Sequence, residues 1–231
     1  MTAVLVQPFH EDETAVIYNC DYRDLINELN FDFVITDPPY NVNYNYPDYK
    51  DNLTSEEYIR MLSPLNEYRT IMIHYAEDFC GDVGEAMGRP SRCVSWCYSS
   101  NLCRQNRMIA WFGCSPDFTK VKQPYKNPND KRIKKLIENG SMGSRLYDWW
   151  DDIQLIKNVS KEKCAEFTNQ IPIKLLERII LLTTKEGDTI LDPFFGSGSL
   201  YFACKNTNRK CIGIEQSIQH LGFFKKRLNN L

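Results

Sequence analysis

A chain of 231 residues, 42% of them hydrophobic, can bury one sizeable core, and a net charge of -2 excludes a whole-molecule field that would draw in a polyanion, so any basic surface must be local. No stretch approaches the roughly 20 apolar residues that span a bilayer, and Met1 to Thr14 is too acidic and polar for a signal peptide, so a soluble, cytoplasmic protein is expected. The nine cysteines contain no C-x-x-C pair, Cys93, Cys97 and Cys103 lack a fourth ligand at zinc spacing, and His10, His74 and His220 are scattered; reduced thiols and no structural metal are expected.

Ala15-Val16-Ile17-Tyr18 reads as a strand, followed by Asn19-Cys20-Asp21 and a short helix through Leu25, Ile26 and Leu29. Phe31 to Thr36 reads as a second, buried strand, closed by Asp37-Pro38-Pro39-Tyr40 because two prolines cannot continue a ladder. Strand, helix, strand predicts a parallel pair with a crossover. A carboxylate and an aromatic ring are thereby held at a strand end, which is where ligands bind in an open α/β sheet. An acceptor-only carboxylate, rigid carbonyls and a flat ring suit a planar substrate bearing an NH2 group, although Asp-Pro also opens ordinary turns.

Asn41 to Asn52, rich in Asn, Tyr and Asp, is expected to form a loop over this site. Ser55-Glu56-Glu57 begins a helix with Thr54 as N-cap and Tyr58, Met61, Leu62 and Leu65 on its buried face. Thr70 to His74, Cys93 to Cys97 and Met108 to Phe112 read as further strands, the first two joined by an acidic connection containing Glu77, Asp78, Asp82 and Glu85.

From Arg104 to Arg145 there are ten basic residues (Arg104, Arg107, Lys120, Lys122, Lys126, Lys131, Arg132, Lys134, Lys135 and Arg145) against three acids. Trp111, Phe112, Phe118, Tyr125 and Tyr147 are interleaved with or close to them. Cations for phosphates and rings for bases are the components of a nucleic-acid surface, with a solvated basic face as the alternative. Trp149 and Trp150 are expected in the core.

The last third of the chain is the clearest. Pro172 opens a helix whose Leu175, Leu176, Ile179, Ile180 and Leu182 form an apolar face, with Gly187 as its stop. Thr189-Ile190-Leu191 is a strand, Asp192 to Ser199 a Gly-rich turn, Leu200 to Lys205 the start of a helix, and Cys211 to Ile214 a strand ending at Glu215. Gly196 and Gly198 let backbone approach a ligand, and an acid after the next strand can accept both hydroxyls of a ribose. Gly-Ser-Gly is not G-x-G-x-x-G and no P-loop lysine follows, which disfavours a dinucleotide or triphosphate. Asp192 would repel a pyrophosphate but attract an ammonium or sulfonium, which points to S-adenosylmethionine.

Taken together, Asp37-Pro38-Pro39-Tyr40 and Asp192-Pro193-Phe194-Phe195-Gly196-Ser197-Gly198-Ser199 resemble the motifs of the amino-methylating DNA methyltransferases, in the order of that family's beta group. Thr168-Asn169-Gln170-Ile171-Pro172 followed by Leu175-Leu176-Glu177-Arg178-Ile179-Ile180 resembles its HPTQKP…LLERII segment, with Phe167 in place of His and Ile171 in place of Lys; Asn19-Cys20-Asp21 resembles its N-G-D element with Cys for Gly.

The resemblance implies an α/β fold, a Rossmann-like, mostly parallel S-adenosylmethionine-dependent methyltransferase sheet in a single domain of residues 1–231, with a basic insertion at 104–148 serving DNA target recognition. It implies catalysis by Asp37, Pro38, Pro39 and Tyr40. Cofactor contacts are implied from Asp21, Asp37, Gln170, Asp192, Pro193, Phe194, Gly196, Ser197, Gly198 and Glu215.

The substrate expected from it is an adenine flipped from double-stranded DNA, since Asp at the first motif position leans toward adenine and Ser toward cytosine. The amino nitrogen is a poor nucleophile because its lone pair is delocalised. The Asp37 carboxylate and Pro38 carbonyl would accept its two N–H groups and aim the pair, with Tyr40 stacked on the extruded ring. Cytosine-N4 methylation is the nearest rival, followed by RNA or protein-glutamine methylation and a catalytically idle binding module. The resembled group commonly forms homodimers, and both a stand-alone enzyme and a partner of a cognate restriction endonuclease fit the motifs.

Overall fold

A computed structural model describes residues 6–46, 48–101, 103–158, 160, 162–164, 167 and 169–229. Thr168 of the expected cofactor segment, residues 1–5 of the N-terminal stretch, and Asn230 and Leu231 lie outside them. The chain folds around a nine-stranded sheet. In chain order its strands are β1 (His10–Glu11), β2 (Ala15–Tyr18), β3 (Phe33–Thr36), β4 (Thr70–His74), β5 (Arg92–Cys97), β6 (Asn106–Phe112), β9 (Trp149–Trp150), β10 (Thr189–Asp192) and β11 (Lys210–Ile214), while β7 (Lys122–Gln123) and β8 (Ser144–Arg145) form a separate antiparallel ribbon. Their spatial order is β1-β2-β11-β10-β3-β4-β6-β5-β9.

Strands β2, β11, β10, β3 and β4 run parallel, β6 runs antiparallel between β4 and β5, and β1 closes the other edge antiparallel to β2. The expected strands are therefore present, but β2 and β3 are not neighbours: β11 and β10 lie between them, and the crossover joins non-adjacent strands. The expected helix after β2 is instead a pair of single 3-10 turns, Tyr22–Asp24 and Ile26–Glu28, interrupted at Leu25, whose φ of -127° is not helical.

Strand residues alternate between two cores, as a sheet covered on both faces requires. Phe33, Ile35, Ile71 and Ile73 pack with Leu175, Ile179 and Ile180 of α4 (Ile173–Thr183), Leu200 and Ala203 of α5 (Ser199–Asn206) and Leu221 and Phe224 of α6 (Ile218–Asn229). Val34, Met72 and Leu191 face the other way, toward Tyr58, Met61 and Leu62 of α1 (Ser55–Leu62) and Val83 and Met87 of α2 (Asp82–Met87). Thr54 caps α1 in a capping box with Glu57. Helix α4 stops at Thr183, and Gly187, at φ +85°, makes the turn that follows rather than the stop itself.

The basic stretch divides. Asn106–Phe112 is an interior strand with Trp111 and Phe112 in the core, so it is part of the sheet and not of an insertion. The excursion proper begins after it and carries the ribbon and the exposed helix α3 (Lys131–Glu138), which has no buried residue. Trp150 is buried, as expected; Trp149, beside it on the edge strand, points outward at 50% exposure because successive strand residues face opposite sides.

Candidate active site

The sheet changes direction of growth between β10 and β3: from β10 the chain goes through α5 to β11 on one side, and from β3 through α1 to β4 on the other. A cleft opens at the carboxyl ends of such a pair, and here Asp192 ends β10 while Asp37 directly follows β3. The cleft encloses about 1030 Å³, including solvent at its mouth. It is lined by Tyr22, Asp37, Pro39, Tyr46, Asp48, Phe167, Gln170, Asp192, Pro193, Phe194, Gly196, Ser197 and Glu215, among others. Four carboxylates and no Lys or Arg lie among the described residues of this wall. Such a lining favours a cation carrying hydroxyls over a phosphate.

Asp192 is 9% exposed, and its Oδ1 accepts from the Thr36 hydroxyl at 2.8 Å and the Phe194 N–H at 3.1 Å. Burial raises its carboxyl to about 7 against those two hydrogen bonds, with Asp37 and Glu215 pushing the same way as burial. The loop beyond is shaped by glycine: Gly196 and Gly198 have φ of +56° and +79°, and a Cβ on Gly198 would come within 2.4 Å of the Phe224 ring. Gly198 is the N-cap of α5 and packs inward, so it shapes the loop from behind; Ser197 is buried at the cleft with its hydroxyl accepting from Arg227 at 3.1 Å.

Glu215 Oε2 accepts the Gly196 N–H at 2.7 Å and Oε1 the Ser217 N–H at 2.8 Å, leaving lone pairs on both oxygens for ligand hydroxyls. Gln170 lines the cleft with its amide anchored to backbone: Oε1 accepts from Cys164 N–H at 2.9 Å and Nε2 donates to the Glu162 carbonyl at 2.8 Å, which leaves one N–H and one Oε1 lone pair. Asp21 departs from expectation. It caps the Tyr22–Asp24 turn and pairs with Arg23, and Tyr22 lines the cleft in its place. The nearby Asn19 amide donates to the Glu215 and Gln216 carbonyls at 2.8 and 2.9 Å, so this element braces the loop after β11.

The loop after Tyr40 covers the cleft, with Tyr46, Asp48 and Tyr49 on its wall. It is organised by Asp51, 3% exposed, whose carboxylate accepts N–H groups of Asn41, Val42 and Tyr44. Sequence reasoning missed Asp51; the available signal was a run of Asn and Asp residues able to hold turn amides. The Ser217 hydroxyl donates to Asp48 at 2.6 Å and ties the loop to the opposite wall.

On its far side, Asp37 meets a second set of groups. Oδ1 accepts the Tyr40 hydroxyl, and Oδ2 lies 3.6 Å from Nη1 of Arg107. Burial raises the Asp37 carboxyl, while Arg107 first, then Tyr40 and His74, act against that. The Tyr40 ring is flanked by His74 at 4.1 Å and Tyr75 at 4.5 Å between centroids. Behind the turn, the Tyr58 hydroxyl donates to the Pro39 carbonyl at 2.7 Å and lies 2.8 Å from His74 Nε2. Asp37, Pro39, Asp192, Pro193, Phe194, Gly196, Ser197 and Glu215 thus converge on one cleft from chain segments far apart in sequence. Among the described residues no group of three or more His, Cys, Asp or Glu could hold a metal.

A family profile described as DNA methylase matches residues 72–226. The chain belongs to the DNA methylase family. Among relatives of this methylase, the type II methyltransferase M.HpaI of Haemophilus parainfluenzae is 30% identical over 89% of the chain and 70% of its own length. The type II methyltransferase M.BamHI of Bacillus amyloliquefaciens is 27% identical over 97% of the chain but only 59% of its own length. Two solved structures share the fold: M1.HpyAVI, at 23% identity and a TM-score of 0.60 over 93% of this chain and 98% of that one, and the cytosine-N4-specific PvuII DNA methyltransferase, at 16% identity and 0.67 over 96% and 88%. No helix among the described residues is long and apolar enough to cross a membrane.

Proposed function

We propose that this methylase moves a methyl group from S-adenosylmethionine to N6 of an adenine flipped out of double-stranded DNA. The observation that carries the reading is the placement of Asp37 on the wall shared by the carboxylate-lined cleft and the Tyr40 side of the turn. When bound, the cofactor supplies an electrophilic methyl carbon. Glu215 would take its ribose hydroxyls, the Gly196-Ser197 backbone would approach it closely, and Asp192 would face its positive charge. The Asp37 carboxylate and the Pro38 carbonyl accept the two amino N–H groups, which localises the nitrogen lone pair and stabilises the positive charge that develops there.

Tyr40 stacks on the base once its hydroxyl has left Asp37. Lys131, Arg132, Lys134 and Lys135 on the exposed α3 supply phosphate contacts. The type II names of the relatives support a role beside a cognate restriction endonuclease, and homodimerisation accompanies this reading as a further expectation.

Cytosine-N4 transfer is the second reading, favoured by the fold's likeness to a cytosine-N4-specific enzyme. Incubation with tritiated S-adenosylmethionine and unmethylated genomic DNA, followed by digestion to nucleosides, separates them. Label is expected in N6-methyl-2′-deoxyadenosine. Label in N4-methyl-2′-deoxycytidine overturns the base, and cofactor binding with no DNA label overturns the substrate class.

A further inference from the structure

By its place in the basic run Arg107 reads as a surface cation, yet the fold puts it elsewhere. It rises from β6 opposite Trp96 of β5, is 8% exposed, and sets its guanidinium 5.2 Å from the Tyr40 ring centroid and 5.7 Å from that of Trp96. Its Nη1 is 3.6 Å from Asp37 Oδ2, and its Nε is the one buried side-chain polar atom without a hydrogen-bond partner among the described residues. A buried cation with an unshared donor is unfavourable unless a counter-charge holds it. Here that counter-charge is Asp37.

The Tyr40 hydroxyl occupies Asp37 Oδ1, the kind of acceptor an incoming amino group needs. When that hydroxyl leaves, the carboxylate loses a donor in a buried place, and a protonated carboxyl would present O–H where an acceptor is required. We propose that Arg107 is a positioning residue for methyl transfer, holding Asp37 as an aimed anion while the flipped base replaces the Tyr40 hydroxyl. The proposal rests on the methyl-transfer reading above. The other groups facing Asp37 are Tyr40 from its own turn, His74 at the end of β4, Tyr98 after β5, Tyr46 from the covering loop, Tyr58 from α1 and Asp192 from β10, with Tyr75 after β4 against the Tyr40 ring. Among them Arg107 alone brings a permanent positive charge.

The test follows the carboxyl and the reaction separately. Protein labelled with 13C-carboxyl aspartate, with the Asp37 signal assigned through Asp37→Asn, is titrated by NMR, and single-turnover transfer to DNA is measured over the same pH range. In the wild type, Asp37 is expected to be ionised at neutral pH and the rate flat through it. In Arg107→Met the Asp37 signal should titrate about one pH unit higher or more, and the rate should climb up to about tenfold per pH unit below that new value. Arg107→Lys should restore most of the flat profile.

An Asp37 signal that titrates in Arg107→Met where it does in the wild type, or a rate lowered equally at every pH, overturns the proposal. So does a wild-type Asp37 that is protonated at neutral pH, a result that needs no variant to fold. If the titrations behave as expected while the wild type labels no DNA, the methyl-transfer reading fails and the coupling of Arg107 to Asp37 stands.

Discussion

Replacing Asp192 with Asn should stabilise the unliganded protein, and by an amount that grows with pH. The buried carboxyl is raised from 3.8 to about 7, so between those values the folded state binds a proton that the unfolded state has released. Stability therefore falls as pH rises through this window, and the group's penalty is nearly absent below 3.8 and complete above about 7. At 1.36 kcal/mol per unit the penalty is about 2 kcal/mol at pH 5 and about 4 kcal/mol at pH 8. Asn keeps an Oδ1 able to accept from the Thr36 hydroxyl and the Phe194 N–H, so the substitution removes the charge and retains those bonds.

Urea unfolding of wild type and Asp192→Asn without cofactor, at both pH values, measures the effect. The gap between the two should widen by about 2 kcal/mol from pH 5 to pH 8. A gap that does not change with pH would refute the reasoning, because it would mean that Asp192 carries no proton in the native protein across that window. In the same variant cofactor affinity should fall at pH 8, where the wild type presents its full negative charge, and the two proteins should converge toward pH 5.

Asp37→Asn should lower single-turnover transfer, measured at saturating cofactor, by about 100-fold or more, as loss of a group acting on the transition state does; retained turnover removes Asp37 from the reaction. Neutralising Lys131, Arg132, Lys134 and Lys135 should weaken DNA binding and flatten the slope of log affinity against log salt by as much as about 4. An unaltered slope returns α3 to a solvated surface. Gly198→Ala should lower thermal stability and cofactor affinity together, because φ is +79° and the new Cβ meets the Phe224 ring at 2.4 Å. Unchanged melting with unchanged affinity would contradict that packing.

The parallel strands could be read from the chain because they are short unbroken apolar runs, and Asp37 and Asp192 at their ends because proline follows each. What could not be read was lateral order: nothing in Ala15–Tyr18 or Phe33–Thr36 states that strands from the last quarter of the chain separate them. Charge reading fails for the same reason at Arg107, where sequence reports a cation among cations and burial depends on the strands on either side. Gln170 and Asp21 lie in family-like segments, but the first is anchored at both ends of its amide by the backbone of Glu162 and Cys164, and the second caps its own turn. A motif marks a neighbourhood; which polar atoms remain available there is decided by the neighbours.

The sheet's lateral order also makes the chain recuttable. Elements near the two ends of the described chain touch, with the Lys225 ammonium 4.3 Å from the Phe9 ring centroid and His10 against Phe224. A peptide joining the segment at Phe9 to the segment at Lys225, with a new opening in the stretch between β9 and α4, would run the cofactor half first and the Asp37 half second while keeping every strand beside its present neighbour. Gene order and site geometry are thus separable in this architecture, and a permuted descendant would differ in its linear map without differing in its chemistry.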